Sequence, residues 1–254
     1  MKARLLKIIL TVVLMLSLLL TLNADVLIVA DEIPAMKVLS EFVKTNANIE
    51  CKIVTQSEMP TNLDNFSAII IYIHRNLNES VEKTLIDYTL KGGKLIPLHH
   101  SISSGKGKNK YWFKFLGVSL PQGDVDKGGY KWIEGVEFDV VNLAEKHFIT
   151  TNKIKYNDKI SFRVNDDEKE LHGFHLTDSE VYLNHRLIGN QTLLLGFKYT
   201  DKKSGKTYMQ SHCGWLKKAE KGLIIYLMPG HSVKEFQNPI YSQIVLNAIL
   251  FKPL

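Results

Sequence analysis

Cysteine is nearly absent: the 254 residues hold only Cys51 and Cys213. Two thiols so far apart make neither a disulfide framework nor a four-thiolate zinc site. No Gly-x-x-x-x-Gly-Lys-Ser/Thr run occurs, so nucleotide binding has no motif behind it. His-x-x-x-His and His-Glu-x-x-His are missing too, which removes the compact zinc-protease spacings. No period of about 20–50 residues repeats, which excludes solenoids and propellers. Charge is nearly balanced, with 32 Lys and Arg against 26 Asp and Glu. Three of the basic residues, Lys2, Arg4 and Lys7, fall in the first seven positions, and without them the excess halves. The remainder is too mild and too evenly spread to argue for nucleic acid.

What is present is ordinary globular material, 45% hydrophobic and 23% charged, enough for one α/β domain over residues 25–254. Residues 1–24 read as a secretory signal: a basic start, the apolar run Ile8–Leu20, and a cleavage position after Ala24. The run falls short of the ~20 residues that cross a bilayer. The expected location is therefore the periplasm or exterior, with membrane contact only through the signal. There the Cys51–Cys213 pair could oxidise if the two meet.

Val26–Ala30, Ala68–Ile73, Lys94–Leu98 and Gly222–Met228 are short continuous apolar runs, the mark of strands buried on both faces of a parallel sheet. Helical spacing over Ala35–Thr45, Ser80–Leu90 and Pro239–Phe251 alternates with them. Ser101–Lys110 is a Gly/Ser/Lys-rich loop, of which Ser103–Lys110 reads as a solvated basic segment or as a lid. The turn at Asp201–Lys206 predicts a hairpin between Thr192–Tyr199 and Thr207–His212. The pattern predicts a doubly wound α/β sheet.

Ligands of such sheets bind beyond the carboxyl ends of the strands, so the residues after each run matter. They are Asp31-Glu32, His74, His99-His100, His212 and Gly230-His231. Five of the nine histidines thus stand at expected strand exits, which predicts a polar, imidazole-lined pocket.

Gly92-Gly93-Lys94-Leu95-Ile96-Pro97-Leu98-His99 resembles the Gly-Gly-x-hydrophobic-His signature of ThuA-like (trehalose-utilisation) proteins. Gly230-His231, Asn238-Pro239 and the helix holding Leu246-Asn247-Ala248-Ile249 are similar to that family's carboxyl-terminal block. His147-Phe148-Ile149-Thr150 and Asp178-Ser179-Glu180-Val181-Tyr182 resemble two further segments of the family. The resemblance spans about residues 25–252. It implies a flavodoxin-like, class I glutamine amidotransferase-like three-layer sandwich with a mostly parallel central sheet. It also implies a substrate from trehalose or keto-sugar metabolism. The elbow that carries the amidotransferase cysteine reads Leu98-His99-His100-Ser101 here, so glutamine hydrolysis is excluded.

The expected catalytic residues are His99 and His231 as base and acid, because an imidazole titrates near neutrality, with Glu180 orienting or charge-stabilising them. His100, Asp31, His74, His212 and Trp215 are expected to bind substrate, Trp215 by stacking on a sugar ring. No cofactor is required, although His99, His212 and His231, with His100, could supply zinc with imidazoles. The expected partner is a small carbohydrate; the oligomeric state is left open. The alternative is a sugar-binding or scaffold module with a degenerate site.

Overall fold

The computed structural model describes residues 26–164 and 167–253; the expected signal, residues 1–24, lies outside them. The first half runs β1 (Val26–Ala30), α1 (Ile33–Ala47), β2 (Cys51–Val54), β3 (Ala68–Tyr72), α2 (Glu79–Leu90), β4 (Lys94–Pro97), α3 (Trp112–Leu116), β5 (Val118–Ser119) and β6 (Lys131–Asn142). It continues with α4 (Phe148–Thr151), β7 (Asp158–Val164), β8 (Asp167–Leu183), β9 (Arg186–Leu187), β10 (Thr192–Thr200), β11 (Thr207–Ala219), β12 (Gly222–Leu227), α5 (Val233–Gln237) and α6 (Pro239–Leu250). Among the described residues no helix is long and apolar enough to cross a membrane.

Ten strands form one sheet in the order β2-β1-β3-β4-β12-β11-β10-β6-β8-β7. From β2 to β12 every pairing is parallel, and β1, β3 and β12 are buried along their whole length, as their continuous apolar runs demand. Beyond β12 every pairing is antiparallel. The expectation of a mostly parallel sheet is therefore corrected to a half-and-half one. The short strand readings in the middle of the chain merge into long hairpin arms, of which β8 alone has 17 residues. Polar outward positions had interrupted their apolar signal.

The parallel half fixes where the site sits. The chain steps from β1 to β2 in one direction along the sheet and from β3 to β4 in the other. Right-handed crossovers then put α1 and α2 on opposite faces, and a crevice opens beyond the carboxyl ends of β1 and β3. The turn into β12 is so close-packed that a Cβ on Gly222 would lie 1.9 Å from the Thr89 carbonyl oxygen, which requires glycine.

Cys51 and Cys213 do not pair. Both are thiols, on β2 and β11, with β1, β3, β4 and β12 between them in the sheet. Cys51 is half-buried and Cys213 fully buried, and burial pushes the Cys213 thiol well above its usual range.

Candidate functional site

His99 follows β4 at φ +36°, a left-handed conformation unfavourable to any residue with a Cβ. It is held there from three sides. The Tyr226 hydroxyl donates to its carbonyl at 3.0 Å, its Nδ1 meets the Met228 carbonyl at 2.6 Å, and its Nε2 lies 2.9 Å from Glu180 Oε2. Met228 offers only a carbonyl oxygen, so Nδ1–H donates to it and Nε2 faces the carboxylate. The ring is completely buried. His99 therefore contacts Glu180 without lining the cavity.

Glu180 and Tyr182 come from the end of β8, five strand positions from β4. In a flat sheet that is about 24 Å; the observed 2.9 Å means the far half folds back over the strand exits. The register shifts around Gly135 and Val136, opposite Ser179, mark the bend, and Gly135 and Asp178 both take positive φ there.

Four groups crowd Glu180 Oε2: His99 Nε2, the Tyr182 hydroxyl at 2.8 Å, His231 Nδ1 at 3.6 Å and His100 Nδ1 at 3.8 Å. Tyr182 gives its one proton to Glu180, so its oxygen accepts from His100 Nδ1–H at 3.0 Å. That leaves His100 Nε2 with a lone pair. Burial opposes ionisation of Glu180, but the contacts from His231, His99 and Tyr182 outweigh it and hold the carboxyl well below its usual range. The same carboxylate raises His231, against burial. Burial, aided by the nearby His99 and His74, pushes His100 down to about 2. The two imidazoles are thus driven apart: His231 is suited to give a proton and His100 to accept a hydrogen bond.

Glu235 on α5 organises this end. It accepts from Gly230 N at 2.7 Å, His231 N at 3.0 Å and Ser179 Oγ at 2.8 Å, tying the His231 turn to the residue before Glu180. Gly230 has φ +127°, and a Cβ there would meet Phe236, the Tyr241 hydroxyl and His99 Cβ at 3.1–3.4 Å. Glu235 has little to distinguish it in the sequence. Its one signal was the Ser232-x-x-Glu235 spacing of a helix start, here turned onto the preceding backbone.

The cavity beside the cluster has a volume of about 510 Å³ and is lined by His74, Arg75, His100, Lys108, Trp132 and Glu180, among others. His74 stacks on His100 at 4.2 Å. Asp31 does not face the cavity's chemistry; both its oxygens accept from His74 N at 3.0 Å, fixing that loop. The Ser101–Lys110 segment is built of tight turns with Lys108 and Lys110 exposed, as a solvated basic loop would have them, but Lys106 within it is buried.

Two expected binders stand elsewhere. Trp215 lies inside β11, fully buried and stacked on Tyr226 at 5.3 Å, because β11 continues well past the predicted exit at His212. His212 packs on His185 at 3.9 Å beside a separate cavity, on a strand antiparallel to β12. It therefore stands apart from the imidazoles grouped with His99. Burial depresses His185 well below the usual value and His212 to about 4. The unfolded chain then takes up protons below ~6.5 that the folded one refuses. Stability is expected to fall as pH drops from 6.5 toward 4, and His212→Gln should flatten that slope in urea unfolding. An unchanged slope would assign the acid sensitivity to other groups.

A family model described as ThuA, trehalose utilisation, matches residues 20–252. No curated protein matches the chain. A solved ThuA-like protein from Bacteroides uniformis ATCC 8492 superposes with TM-score 0.60 at 17% identity, covering 89% of this chain and 89% of its own. A cytoplasmic protein from Salmonella typhimurium LT2 gives TM-score 0.57 at 14% identity, over 89% of this chain and 98% of that one. A β-galactosidase from Rahnella sp. R3 gives 0.53 at 10% identity over 88% of this chain but only 30% of its own. At such identities the common property is the fold.

Proposed function

Because the chain belongs to the ThuA, or trehalose-utilisation, family, we propose that it acts on a keto-sugar, or a glycoside derived from one, by proton transfer at Glu180 and His231. The observation that carries this reading is the convergence of His99, His100, His231 and Tyr182 on a single buried carboxylate oxygen at the edge of a polar cavity. The family supplies the substrate class, and the parallel half of the sheet supplies the flavodoxin-like part of the architecture.

The step this arrangement suits is elimination beside a ketone. Glu180 takes a proton from the carbon next to the carbonyl as His231, one of the contacts that hold its carboxyl low, turns from it to the leaving oxygen, and His99 stays on the carboxylate at 2.9 Å. The C–H electron pair becomes a carbon–carbon double bond as the C–O bond on the next carbon breaks. His231 gives its proton to the departing oxygen. No oxidant or reductant is consumed. His100 accepts a hydrogen bond from a substrate hydroxyl, and Trp132, 48% exposed at the cavity, offers its face to a sugar ring.

Purified protein incubated with a keto-disaccharide should release free sugar. Trp132→Ala should raise KM about three- to tenfold with little change in unfolding, since the indole is half in solvent. Calorimetric binding without any release would instead favour the sugar-binding module. A second reading, a divalent ion such as zinc, is favoured by one observation: ligand atoms of His99, His100, Glu180 and His231 lie within 4.8 Å of one another. Turnover that survives chelation supports the proton-transfer reading; loss on chelation with recovery on zinc supports the metal. Residues 1–24 carry the further proposal that this chemistry takes place outside the cytoplasm.

A further inference from the structure

Lys106 lies between two glycines in a surface turn whose other lysines, Lys108 and Lys110, are exposed, yet its own exposure is 0%. Its ammonium makes no ion pair among the described residues. It donates instead to main-chain carbonyls: Ile73 at 2.7 Å, His100 at 3.2 Å, His74 at 3.3 Å, and Arg75. These four oxygens belong to the segments leaving β3 and β4, whose residues His74, Arg75, Asn76 and His100 line the cavity.

Carbonyl oxygens converging on one point repel one another and need a cation or several donors between them. A buried lysine is costly unless such partners favour its charged form. Burial pushes this ammonium down to about 7 while Asp31 pulls the other way; Asp31 is itself held by His74 N. Asn109 closes the same loop, donating to the Leu77 carbonyl and accepting from Leu77 N, both at 2.9 Å.

We propose that Lys106 is a positioning residue whose ammonium serves as a tethered monovalent cation, clamping the ends of β3 and β4 and so setting the wall of the cavity. The clamp is independent of what the cavity binds; only its bearing on catalysis rests on the carbohydrate reading.

A cage for a tethered cation should accept a free one once the tether is cut. In the full chain, Lys106→Ala should raise amide hydrogen exchange about tenfold over residues 70–77 and 98–110. Saturating n-propylammonium chloride should restore protection, and tetramethylammonium chloride, which has no N–H, should not. Lys106→Met, which fills the space without a donor, should loosen the same segments with no rescue. Wild-type protection in Lys106→Met would overturn the proposal, since volume alone would then suffice. Loosening spread over the whole chain and indifferent to n-propylammonium would overturn it as well. A further measurement needs only the wild type: acetic anhydride should modify Lys106 at least tenfold more slowly than Lys108 and Lys110, and equal rates contradict the clamp.

Discussion

Glu180→Gln is expected to lower kcat on a keto-glycoside by about 10²–10⁴, the usual loss when a positioned proton-transfer group is removed, while KM stays within a few-fold. The substitution keeps the shape but removes the charge on which the neighbours are arranged. His99 Nε2 and the Tyr182 hydroxyl both meet Oε2, and an amide offers them either a weaker acceptor or a competing donor. His231, raised by this carboxylate, loses the charge that keeps it protonated. The folded state should also lose about 1–3 kcal/mol, because buried donors are left with poorer partners. Steady-state kinetics and urea unfolding check both. Unchanged kcat would remove Glu180 from the chemistry.

Glu235→Ala is expected to cost about 3 kcal/mol or more in stability and to lower kcat at least tenfold, although Glu235 touches no substrate. Three donors converge on its carboxylate, and hydrogen bonds to a charged group contribute about 1.5–3 kcal/mol each. Alanine strands two backbone N–H groups and the Ser179 hydroxyl in a dry environment. The turn bearing His231 and the strand end bearing Glu180 then lose their common anchor. Glu235→Gln should recover part of the stability, since one oxygen remains to accept. A loss below 1 kcal/mol with wild-type kcat would show that Gly230 and His231 are held by other contacts.

The parallel half was legible in the sequence because doubly buried strands must be continuously apolar, and Val26–Ala30, Ala68–Ile73 and Gly222–Met228 are. Reading the residue after each run found His74, His99 and His231 for the same reason: a strand exit in a parallel sheet is a fixed address. An antiparallel strand has no such fixed exit. Thr207–Ala219 has outward polar positions that cut its signal at His212, so His212 and Trp215 were assigned to an exit when they lie inside a strand. Glu180 is marked in the sequence only by its place in the Asp178–Tyr182 segment. Its approach to His99 depends on a bend near Gly135 that no periodicity records. Lys106 was hidden by its company, since a lysine among glycines and serines looks solvated until its four carbonyl partners are seen.

The central claim, that imidazoles from separate segments share one carboxylate beside the ligand cavity, is tested most directly by nitrogen-15 NMR of the histidine rings. Adding a keto-disaccharide, or replacing Glu180 by glutamine, should shift the signals of His99, His100 and His231 together and leave His185 and His212 in place. If the sugar moves His185 and His212 while the other three stay fixed, the ligand occupies the second cavity and the cluster around Glu180 is only part of the core.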